Sequence, residues 1–67
     1  MAQAESVAVH ALHARLRQLG AEYQAARSSA GAHIYYARPL GRWLRVTRVG
    51  NTARIEYHAT CPCSGGG

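Results

Sequence analysis

Ala32-His33-Ile34-Tyr35-Tyr36-Ala37-Arg38-Pro39-Leu40-Gly41-Arg42-Trp43-Leu44-Arg45-Val46-Thr47-Arg48-Val49-Gly50-Asn51-Thr52-Ala53-Arg54-Ile55-Glu56-Tyr57-His58-Ala59-Thr60 is the stretch that decides the fold. Its side chains alternate with a period of two, which predicts three strands over 32–38, 42–49 and 53–60. Between the first two, Pro39 takes the second position of a type I turn and Gly41 the place where a left-handed residue is wanted. That pattern suits a three-residue hairpin loop. Gly50-Asn51 suits a two-residue loop with glycine first. Together the turns set a register: Tyr35 opposite Arg45, Tyr36 opposite Leu44, Val46 opposite Ile55, and Leu44 opposite Tyr57. One face then carries the rows Ile34–Val46–Ile55 and Tyr36–Leu44–Tyr57, all apolar or aromatic, and a one-residue slip would destroy that agreement.

Upstream, Val9, Leu12, Leu16, Leu19 and Tyr23 recur in steps of three and four, which predicts a helix over about 4–26 with one apolar stripe. Gly20 is the ambiguous residue. It suits a helix end followed by a strand near 22–27, but the good helix formers after it and the in-phase Tyr23 favour a helix that runs through, weakened by about 1 kcal/mol. The expected architecture is α+β, a two-layer αβββ fold in which an N-terminal helix packs on one face of a three-stranded antiparallel meander. One domain spans 1–60, followed by a flexible Cys/Gly tail over 61–67.

Sixty-seven residues support only one small core, which excludes a dinucleotide-binding fold or a deep substrate cleft. No apolar run approaches the roughly 18 residues of a membrane span, and the opening residues lack the pattern of a signal peptide. A cytoplasmic protein without a membrane partner is expected. Eight arginines face three glutamates, for a net charge of +5, a balance that favours nucleic acid first and acidic protein surfaces second. A GC-rich coding bias accounts for arginine in place of lysine, but not for its excess over glutamate.

The predicted register leaves the second sheet face open, with rows His33–Thr47–Arg54, Tyr35–Arg45–Glu56 and Ala37–Trp43–His58. Aromatic rings stack on exposed bases while arginine neutralises phosphate, so Tyr35, Trp43, Arg45, Thr47, Arg54 and His58 are the candidate binding residues. The plain alternative is a solvated face with an Arg45–Glu56 cross-strand pair, or contact with a second copy of the chain through Trp43. His33 is the catalytic candidate. It follows Gly31 and is expected beside Thr47 and Arg54, and RNA cleavage needs a base, an acid and cations at the phosphate.

Gly31-Ala32-His33-Ile34-Tyr35-Tyr36 and Gly41-Arg42-Trp43-Leu44-Arg45-Val46 resemble the centre of HicA-type mRNA interferase toxins, and Leu16-Arg17-Gln18-Leu19-Gly20 resembles the end of their first helix. The resemblance covers about residues 12–49. It implies a double-stranded-RNA-binding-like fold and a catalytic role for His33; Ala32 stands where that family carries serine, and its closing helix is replaced by a strand and tail.

Cys61 and Cys63, with His10, His13 and His58, have ligand chemistry for zinc, but the one-residue cysteine spacing is not that of a zinc site. No metal or other cofactor is expected, and free thiols are the default. His10, His13 and Arg17 form a cationic helix edge, read as a solvated face. Three functions follow: an RNA- or DNA-binding module, a toxin-like ribonuclease using His33, and a non-catalytic interaction module or mobile-element inhibitor, which includes a homodimer.

Overall fold

A computed structural model describes residues 3–62 of the chain. Gln3–Ala8 forms a strand, β1, and only Val9–Gln18 is helical, α1. The helix starts without a capping side chain at Ala8. Its first N–H is instead met from a distance, by Val9 N donating to the Asn51 carbonyl at 2.9 Å. It ends at Gly20, whose φ of +69° is left-handed. Leu19 N donates to the Arg15 carbonyl and Gly20 N to the Arg17 carbonyl, the closing pattern that a left-handed glycine permits. A helix through Gly20, expected from the formers that follow it, is therefore corrected: Ala21–Tyr23 is a short strand, β2.

Three further strands follow, β3 (His33–Ala37), β4 (Arg42–Val49) and β5 (Thr52–His58). All five join one antiparallel sheet in the order β1-β5-β4-β3-β2. The three-stranded meander is thus the middle of a larger sheet, with β1 and β2 added at its two edges. The fold remains α+β. Among the described residues no helix is long and apolar enough to cross a membrane.

The second hairpin has the expected register, with Val46 opposite Ile55 and Leu44 opposite Tyr57. Gly50 takes a φ of +63° in a two-residue loop. The first hairpin is shifted by one. Ala37 pairs with Arg42, Tyr35 with Leu44, and Ile34 with Arg45. Its loop has four residues, a 3-10 turn over Arg38–Leu40 closed by Gly41 at φ +62°. Because side chains alternate faces, that one residue turns all of β3 over. His33 and Tyr35 lie on the helix side, while Ile34 and Tyr36 lie on the other.

The helix side holds the main core, Leu16 and Leu19 against Ala37, Leu44, Val46, Ala53 and Ile55. The buried sheet residues step from Ala53 through Ile55, Val46 and Leu44 to Ala37, a diagonal across β5, β4 and β3. This is the path of α1, which leaves β1 at one end of the sheet and reaches β2 at the opposite end of the other edge. Leu44, Val46 and Ile55 are 1% exposed or less, and each such burial contributes about 1.5–3 kcal/mol.

On the far face Ile34, turned there by the register, is still only 2% exposed. A 3-10 turn over Ala25–Arg27 packs against β3 and brings Arg27 over the Trp43 ring on that face. Cys61 is disulfide-bonded, which corrects the expectation of free thiols. Cys63 and the glycine run lie outside the described residues.

Candidate functional site

The five expected binding residues of β4 and β5 share the far face: Trp43 opposite His58, Arg45 opposite Glu56, and Thr47 opposite Arg54. His33 and Tyr35 do not join them. The neighbours expected for His33, Thr47 and Arg54, are on the opposite side of the sheet, so the catalytic grouping read from the sequence is not assembled. Ile34 takes the place assigned to Tyr35, opposite Arg45, and Tyr36 takes that of Ala37, its ring centroid 5.0 Å from that of Trp43.

Trp43 was expected to lie open. Instead the Arg27 guanidinium carbon lies 5.4 Å from its ring centroid, a cation–π contact, and the residue is half-buried. Arg45 Nε and Arg54 Nε each stand 3.2 Å from the Glu56 carboxylate, and His58 Nε2 stands 3.3 Å from it. Burial raises the Glu56 carboxyl, but the His58 hydrogen bond and the Arg45 and Arg54 charges outweigh it and hold it below the ordinary range. Arg45 Nε attracts Glu56 without the angle for a hydrogen bond, and it is buried without a partner for its N–H. Glu56 thus pairs with both arginines that β4 and β5 place on this face.

The helix side differs. A helix laid on the diagonal leaves two corners of the sheet uncovered. At the corner formed by β1 and β5, Glu5 accepts from Arg15 Nε at 2.8 Å, from Arg15 Nη2 at 3.0 Å and from the Tyr57 hydroxyl at 2.6 Å. Those hydrogen bonds, Arg15 first, hold its carboxyl below the usual range against the opposing effect of burial. That corner is closed.

The other corner, at β2 and β3, holds an aromatic cluster. Tyr23 lies 5.3 Å from Tyr35 and 6.1 Å from His33, centroid to centroid, and Tyr23 is 50% exposed. Burial, then the neighbouring Tyr23 phenol, pushes the Tyr35 hydroxyl above its ordinary range. Sequence reasoning missed Tyr23 because a helix through Gly20 puts it on the apolar stripe. Reading Gly20 as a terminator would have placed it on a strand.

Among the described residues no group of three His, Cys, Asp or Glu could hold a metal ion. His10 and His13 are on α1 and His58 is on the far face of β5. No family model, curated protein or solved structure matches this chain. Its function must therefore be argued from its own surfaces.

Proposed function

We propose that this chain is a small basic nucleic-acid-binding domain, with RNA the favoured ligand. The observation that carries the reading is where its carboxylates stand. Glu5 pairs with Arg15, Glu22 with Arg38, and Glu56 with Arg45 and Arg54. Every acidic side chain of the chain is thus engaged internally, and the exposed Arg17, Arg42 and Arg48 lie outside those pairs. A surface with surplus guanidinium groups and exposed aromatic rings matches phosphates and bases. A cytoplasmic location, where RNA is met, belongs to the same proposal.

Titration with mixed-sequence RNA at about 50 and 200 mM salt tests it. Affinity should fall steeply between the two concentrations. Absent binding, or binding indifferent to salt, overturns the reading. Binding without cleavage is the form we favour, since His33 stands on the opposite side of the sheet from Thr47 and Arg54, the neighbours with which the cleavage reading grouped it. RNA should stay intact under wild-type protein. If it is cut, and His33→Ala stops the cutting, the toxin-like ribonuclease is the better description.

One observation favours a second reading. The far face interleaves Tyr36 and Trp43 with paired charges around Glu56, a composition closer to a protein interface than to a phosphate track. Its occupant would be an acidic protein or a second copy of this chain. Sedimentation of wild type against Trp43→Ala tests it: a dimer that the substitution converts to monomer supports self-association.

A further inference from the structure

The open corner on the helix side gains its character from the helix as well as from the sheet. Successive helical residues are about 100° apart, so His13 and Arg17, each two positions from Arg15, lie on the flank opposite to it. Arg15 turns down to Glu5 at the closed corner. His13 and Arg17, both exposed, therefore flank the corner that holds Tyr23, His33 and Tyr35. On β4, Arg48 points to the same side of the sheet, one row beyond the pair His33–Val46. Among the described residues no carboxylate stands here: Glu5 is at the closed corner, and register puts Glu22 and Glu56 on the far face, opposite Tyr36 and Arg45.

We propose that this corner is a binding site for single-stranded RNA, in which Tyr23 and His33 stack an unpaired base and Arg17 and Arg48 hold the adjoining phosphates. The proposal rests on the nucleic-acid reading and assigns it a place and a strand state. Charge complementarity selects a polyanion, because the site carries cations with no acid among them. The rings select a single strand, since bases in a duplex are already stacked on one another and offer side chains mainly edges and phosphates. Tyr23 sits on the edge strand, where a base can approach without passing over the helix.

The test is fluorescence anisotropy of the full chain with a labelled short oligouridylate, beside an RNA duplex of equal length. Wild type should prefer the single strand. Tyr23→Ala should weaken binding roughly 5- to 100-fold, and the pair Arg17→Gln with Arg48→Gln should lower the salt slope by about two. All three side chains are exposed, so melting temperatures should hold; Arg54→Gln on the far face should bind as wild type does. If the corner variants bind normally and Arg54→Gln or Trp43→Ala does not, the corner assignment fails while the nucleic-acid reading stands. Equal or tighter duplex binding overturns the single-strand assignment. No binding of either RNA by wild type overturns both.

Discussion

Ser28 fills a gap in the ladder between β2 and β3. Gln24 N donates to the Ile34 carbonyl at 2.8 Å, but the return bond is replaced by a hydroxyl: Ile34 N donates to Ser28 Oγ, which donates in turn to the Gln24 carbonyl, both at 2.9 Å. Ser28→Ala leaves two part-buried backbone groups unsatisfied and should cost about 1–3 kcal/mol, read from urea unfolding. A cost near zero would mean that water replaces the hydroxyl freely. Gly20 makes a second residue-scale case. Its φ is +69°, and a Cβ there would stand 2.6 Å from Pro39 Cγ, whereas a Cβ on Gly41, also left-handed, would meet nothing within 4 Å. Gly41→Ala should therefore cost only the conformational penalty of about 1–2 kcal/mol, and Gly20→Ala clearly more. Equal losses would show that the turn carrying Pro39 yields. The left-handed glycine was visible in the sequence as an option; its contact with Pro39, made between distant parts of the chain, was not.

At the scale of elements, the legible parts were those fixed by local chemistry. The Gly50-Asn51 loop gave its hairpin the right register, and Leu12 and Leu16, with Leu19 just past the last turn, gave α1 its apolar stripe. The first hairpin was misread because Arg38-Pro39-Leu40-Gly41 fits a three- or a four-residue loop, and Ile34 looked like an anchor of the helix-side core. It is an anchor of the other face, under the segment carrying Ser28. Ile34→Ala should cost on the order of 2–4 kcal/mol although α1 never touches that side; stability like that of wild type in a thermal melt would contradict the cover described. β1 was illegible, since Ala4-Glu5-Ser6-Val7-Ala8 has few strand formers and its place depends on pairing with β5 far along the chain. What locks β1 to α1 and β5 is Glu5. Its carboxyl is held below the ordinary range, so its contribution is complete above about pH 4.3, the unfolded value, and is lost as pH falls through the folded one. The melting temperature of wild type should drop as pH is lowered below that value, and Glu5→Gln should drop less steeply. Parallel curves would remove Glu5 from the account.

Across the whole molecule, one helix on a five-stranded sheet covers a diagonal and leaves the corners to side-chain chemistry. One corner is closed by Glu5, Arg15 and Tyr57, on the far face Arg45 and Arg54 are paired with Glu56, and the corner of Tyr23, His33 and Tyr35 keeps rings and cations without an acid among the described residues. Net charge favours a polyanionic partner, but only the topology separates Arg45 and Arg54, paired with Glu56, from Arg17 and Arg48, which lie outside the ion pairs. That is why the expectation from sequence centres on Trp43 and the proposed site centres on Tyr23. The central claim is tested most directly by the nuclear magnetic resonance spectrum of the full chain titrated with oligouridylate. Chemical shifts should move together at Arg17, Tyr23, His33 and Arg48 and leave the Trp43 indole N–H in place; shifts centred on Trp43, Arg45 and Arg54 with the corner silent would contradict the account.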